Sequence, residues 1–233
     1  MNGEAVGTMA PLLPFALLGA VCGLDVVSFP QAMISRPLVA ATASGALAGR
    51  VGAGLLVGAA LELIALETLP FGASRYPEWG SAAVVAGALS AIGTPGRPGA
   101  ITVSILAGLA TAWIGGWTMI ALRRLNAVRA RRHQAALNSG SASTVVGLQL
   151  SGLVTDGLRG AALTLLMLAV FRPIAGMAVS RWEVDGRTSR AVVVGVAAAV
   201  AGAAVWKVFH SAPGTRALFG VGLLGGCLVL VLR

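Results

Sequence analysis

Between Ala100 and Leu122 the chain carries no charged residue, and this run is one of seven apolar stretches: 11–29, 37–66, 81–92, 100–122, 144–171, 191–205 and 217–232. A helix of about 20 apolar residues crosses the hydrocarbon core of a bilayer, whereas shorter runs suit broken or re-entrant segments whose backbone is sheltered by protein. Hydrophobic residues make up 57% of the chain and charged residues 11%, and there are 32 glycines, so neither an ordinary soluble domain nor a disordered chain fits. The expected fold is all-α: a polytopic integral membrane protein with about six to eight membrane segments, some of them broken or re-entrant.

The formal charge is +9, and 16 of the 17 basic residues are arginines placed between apolar runs. Membrane topology accounts for them better than nucleic-acid binding. The acid-free cluster RRLNAVRARRH, 123–133, marks the cytoplasmic side, which puts 172–190 outside and returns Lys207 and Arg216 to the cytoplasm. The start, MNGEAVGTMAPLLPF, lacks a basic region and reads as retained rather than cleaved. Cys22 and Cys227 both sit in apolar runs and read as small buried side chains, and the absence of any Cys/His cluster gives no expectation of a metal or cofactor.

One membrane domain, 1–233, is expected: an N-terminal half, 1–130, a polar connector, 131–143, read as an exposed cytoplasmic loop, and a regular helical C-terminal half, 144–233. Pro30, Pro37, Pro70, Pro77, Pro95 and Pro98 interrupt or bound the apolar runs of the first half, which predicts helices broken within the membrane. Gly19/Gly23, Gly45/Gly49 and Gly54/Gly58 stand at the spacing that lets helix backbones approach closely in lipid.

Three of the eight carboxylates fall in GAALELIALETLPFGASRYPEWG, 58–80. Glu62 lies in an otherwise uncharged run, and an acid at a helix centre costs of order +3 kcal/mol to insert, so it has either a ligand or pathway role or a structural partner such as Arg36 or Arg50. Glu67 is about 140° further round an ideal helix, so the two share no face unless the helix breaks. Pro70 predicts such a break near 66–70, and freed carbonyls with a carboxylate suit the hydroxyls of a neutral polyol or sugar. Arg75, Tyr76, Glu78 and Trp79 read as an interfacial turn. A second interruption is expected between Pro30 and Pro37. The candidate substrate-binding set is Glu62, Glu67, Gln31, Arg36 and Ser74, with Asp25 and Ser35 as additional polar pathway residues. Asp156 and Arg159 form an i,i+3 pair with a structural role.

The segment SRPLVAATASGALAGRVGAGLLVGAALELIALETLPFGASRYPE, with its Arg36-Pro37 and Leu61-Glu62 pairs, resembles the signature region of the IIC component of the mannose/fructose/sorbose family of the bacterial phosphotransferase system. GLVTDGLRGAAL, 152–163, resembles that family's amphipathic segment with an internal arginine. Ser35 stands where sugar-transporting relatives commonly have histidine, and Glu67 where many have a small residue. The resemblance implies a multi-pass protein of the bacterial cytoplasmic (inner) membrane that moves a hexose inward beside a IID membrane subunit, in a trimer of IIC–IID pairs within membrane lipid. It implies that IIA and IIB phosphocarriers supply the phosphate, so the chain is no enzyme itself. His133 and His210 read as solvated loop residues rather than phosphoryl carriers. Two other classes stay open: an ion-coupled small-solute transporter using Asp25, Glu62 or Glu67, and a noncatalytic membrane scaffold or sensor.

Overall fold

The computed structural model describes residues 12–68, 77–93, 96–211 and 213–232, and among them there is no strand. Helix α1 (Leu13–Val27) leads into a loop. It is followed by α2 (Pro37–Leu47), α3 (Val51–Ala65) with a 3-10 turn at Leu66–Thr68, and α4 (Trp79–Ala88), which ends in a π-helical turn at Leu89–Gly93. The second part holds α5 (Ala100–Arg132), the short α6 (Gln134–Asn138), α7 (Ala142–Ser180), α8 (Gly186–Phe209) and α9 (Thr215–Val231). Four helical stretches are long and apolar enough to cross a membrane: Val51–Thr68, Ala100–Arg132, Ala142–Ser180 and Gly186–Phe209. Four shorter apolar helices accompany them. The broken character expected of the N-terminal half is therefore present in α1 to α4.

Local chemistry sets several of these boundaries. Pro37 takes the first position of α2, where its missing N–H costs nothing. Glu78 caps α4 by accepting from Ser81 N–H at 3.1 Å. Asp185 caps α8, accepting from the N–H groups of Arg187 and Thr188 and from the Thr188 hydroxyl at 2.8, 3.0 and 2.6 Å. That hydroxyl, with the two N–H groups, holds the Asp185 carboxyl below the usual range.

Helix α4 is the centre of the molecule. It is too short to span a bilayer, packs against α1, α2, α3, α5 and α7, and buries every residue from Gly80 to Ala88. Small side chains make this possible, since a Cβ at Gly87 would lie 2.6 Å from the Ala41 carbonyl oxygen and one at Gly54 only 2.2 Å from it. Helix α2 is thus wedged between α3 and α4 with backbone in contact on both sides. Gly19 and Gly23 of α1 meet Gly160 of α7 in the same way. Gly49 departs from the expected packing role. It has φ +68 with open space around it and makes the turn between α2 and α3.

The connector also departs from expectation. Helix α5 continues through the arginine cluster to Arg132, α6 follows, and 139–141 form the turn before α7. Arg, Ala, Gln and Leu are good helix formers, so the polarity of the segment marks exposure rather than loss of helix. Helix α7 likewise passes through Arg172 and Pro173 to Ser180, so the apolar run 144–171 does not mark the end of the helix. Cys22 is buried, but Cys227 is exposed on α9, contrary to the reading of both as buried.

Candidate functional site

Two chain interruptions meet. The first, between α1 and α2, is organised by Asp25, whose buried carboxylate accepts from Ala32 N–H (2.6 Å), Ser35 N–H (2.8 Å) and the Ser35 hydroxyl (2.8 Å). Those bonds hold the loop in a tight reversal in which Gln31 and Met33 have φ of 57° and 64°. The Gln31 amide turns back to donate to the Val27 carbonyl at 2.7 Å. The second interruption follows α3: Thr68 ends the 3-10 turn, and its hydroxyl accepts from the indole N–H of Trp79 at 3.0 Å.

A cavity of about 230 Å³ lies between them, lined by Asp25, Gln31, Ser35, Arg36, Thr68 and Trp79 among others. Its walls combine carboxylate and hydroxyl acceptors, amide and guanidinium donors, and one aromatic plane. That mixture has the chemistry to orient a small polar molecule, in a volume below the ~300–1,000 Å³ of drug-sized sites. Among the described residues no group of His, Cys, Asp and Glu is placed to hold a metal ion.

Four of the expected site residues, Asp25, Gln31, Ser35 and Arg36, line this cavity together. Glu62 is not on the wall. It pairs with the Arg36 guanidinium and accepts from Leu38 N–H at 3.2 Å, which holds Arg36 from behind and caps the start of α2. Glu67 turns away from the cavity and pairs with Lys207 of α8 at 2.8 Å. Ser74, Pro70 and Gly72 lie outside the described residues, but α3 ends at Ala65 and gives way to the 3-10 turn at Leu66–Thr68, at the start of the expected break.

Trp79 and Thr68 were not foreseen. The neighbours Arg75, Tyr76 and Glu78 suggest an interfacial turn, and the docking of α4 between the other helices turns Trp79 inward. Glu78, read with it as part of an interfacial turn, is 2% exposed. Its Oε2 has no hydrogen-bond partner among the described residues. The expected Asp156–Arg159 pair is present at 2.9 Å and is buried. Asp156 also accepts from the Ser28 hydroxyl at 2.6 Å, and Arg159 donates to the Thr118 hydroxyl at 3.2 Å, so the pair ties the first interruption to α5 and α7.

A family model described as the sorbose-specific IIC component of the phosphotransferase system matches residues 11–181. The sorbose-specific EIIC component of Klebsiella pneumoniae is 29% identical over 136 residues, covering 58% of this chain and 49% of that protein. The chain thus spans about half the length of this curated relative. A solved structure described only as a membrane protein superposes with a TM-score of 0.73 at 19% identity, covering 97% of this chain and 95% of that one. The mannose transporter ManYZ, solved with microcin E492, gives a TM-score of 0.59 at 18% identity over 94% of this chain and 86% of the other. At such identities the two structures speak for the shared membrane fold.

Proposed function

The chain belongs to the sorbose-specific IIC family of phosphotransferase-system components, and on that premise we propose that it is the sugar-translocating subunit of a mannose-family system, moving a hexose or related sugar inward. Its partners in this reading are a IID membrane subunit, paired with it in a trimer of IIC–IID units, and IIA and IIB proteins that provide the phosphoryl group. The setting is the bacterial cytoplasmic membrane. The chain itself contributes binding and passage, not phosphoryl transfer.

The observation that carries the proposal is the cavity between the two interruptions. A sugar presents hydroxyls that both donate and accept around a ring with an apolar face. Asp25 and Ser35 offer acceptors, Gln31 and Arg36 offer donors, and the Trp79 indole offers a plane for the ring face. An ion-coupled carrier working through Asp25, Glu62 or Glu67 would need those carboxylates free, whereas Asp25 already accepts three hydrogen bonds, Glu62 holds Arg36, and Glu67 holds Lys207.

The test is equilibrium binding of sorbose, fructose, mannose and glucose to the purified chain with its IID subunit. One of these sugars should bind saturably, and Trp79→Ala should weaken that sugar about five-fold or more through loss of the ring contact. A folded complex that binds none of them would overturn the reading.

A further inference from the structure

Far from the sugar cavity, at the end of α5 opposite the 123–133 arginine cluster, three other arginines line one hollow of about 310 Å³. They come from three separate places: Arg50 from the start of α3, Arg97 from the turn before α5, and Arg190 from the first turns of α8. The scaffold that brings them together is well packed. Gly99, with φ +79, lies so close under the Trp182 indole that a Cβ there would be 2.3 Å from the ring. Trp182 in turn donates to the Ser189 hydroxyl at 2.9 Å, so this one indole ties the start of α5 to the first turns of α8.

No ion pair to Arg50, Arg97 or Arg190 is present among the described residues. The nearby acids do not answer them, because Asp185 spends its carboxylate on the α8 cap and Glu183 is off the wall. The N-terminus of the long helix α5 also opens here without a side-chain cap, adding partial positive charge. The three guanidiniums are exposed, so solvent screens much of their mutual repulsion, and an anion shared between them would relieve the rest. Beside the arginines the wall is apolar: Leu56, 51% exposed, and Ile101 continue onto the outer surface of α3, where Val51 and Leu55 are also exposed.

We propose that this hollow binds the phosphate headgroup of an anionic phospholipid, with the guanidiniums on the phosphate oxygens and an acyl chain along the exposed face of α3. A guanidinium matches phosphate oxygens two at a time, which favours arginine for this task. Three cations also select against zwitterionic lipids, whose own ammonium group they repel.

The test measures lipid retention by native mass spectrometry, with melting temperature alongside, on the full chain in neutral detergent. The probes are phosphatidylglycerol, phosphatidylcholine and inorganic phosphate. Phosphatidylglycerol should bind saturably and about ten-fold or more tightly than phosphatidylcholine, and the double variant Arg97→Gln/Arg190→Gln should remove that preference. Arg97→Lys/Arg190→Lys, which keeps the charge but loses the paired guanidinium bonds, should bind more weakly than the parent yet still prefer phosphatidylglycerol, and loss of the preference in that folded variant would overturn the charge-based selection. Equal retention of the two lipids, or an unchanged preference in the folded glutamine variant, would overturn the proposal. Displacement of phosphatidylglycerol by millimolar inorganic phosphate would make the hollow a free-anion site and overturn the lipid assignment. None of these readouts depends on sugar transport.

Discussion

Glu62 shows how one partner changes the meaning of a residue. A carboxylate within an apolar helix is equally suited to sugar hydroxyls and to a neighbouring guanidinium, and its position opposite Arg36 selects the second. Glu62→Gln should therefore act first on stability. The pair is partly open, with side-chain exposures of 40% for Arg36 and 19% for Glu62, so solvent screening limits the loss to about 1 kcal/mol. Sugar affinity should fall with it, because Arg36 loses its support. Melting temperature and sugar binding measured on Glu62→Gln, Arg36→Gln and the double variant separate direct from indirect effects. The double variant should lose less stability than the sum of the singles. Weakened binding with unchanged melting in Glu62→Gln would instead put the carboxylate on the ligand.

Among the helices, the glycines carry the most specific information. Gly54 and Gly52 stand two residues apart in α3, yet a Cβ at Gly54 would strike the Ala41 carbonyl at 2.2 Å while Gly52 has nothing within 4 Å. Gly54→Ala should force α2 and α3 apart at a cost of about 1–3 kcal/mol, the usual penalty for overpacking. Gly52→Ala should be neutral or stabilising by up to about 1 kcal/mol, since it only improves helix propensity. Thermal unfolding of the two variants in detergent checks the contrast, and equal losses would mean that α2 and α3 are not in backbone contact. Helix α4 can be short because it is surrounded by α1, α2, α3, α5 and α7, and its backbone is sheltered by protein rather than by spanning the bilayer.

At the scale of the whole molecule, the α5–α7 hairpin is longer than the membrane is thick. The 33 residues of α5 rise about 50 Å, against a hydrocarbon core of about 30 Å, so its arginine-rich end projects beyond the bilayer. We expect that end to be cytoplasmic. A cysteine at the exposed Ser143, in a chain with Cys22 and Cys227 replaced, should react with an impermeant label only from the cytoplasmic side. The replacement is needed because Cys227 is itself exposed. Labelling from outside intact cells would invert the topology and move the three-arginine hollow to the cytoplasmic leaflet.

The all-helical membrane architecture was legible in the apolar runs, and the broken N-terminal half in its prolines, because both follow from local chemistry: hydrocarbon demands satisfied backbone, and proline cannot supply an N–H. Asp25, Gln31, Ser35 and Arg36 were legible as a group for the same reason, being polar residues crowded around two prolines. The destinations of Glu62 and Glu67, the inward turn of Trp79 and the burial of Glu78 were decided by tertiary structure. A membrane helix that is apolar on every side carries no pattern saying which face meets protein. The close approach of glycine-lined backbones fixed how α1, α2, α3, α4, α5 and α7 face one another, and packing between helices decided whether a carboxylate met a cavity, an arginine or a lysine.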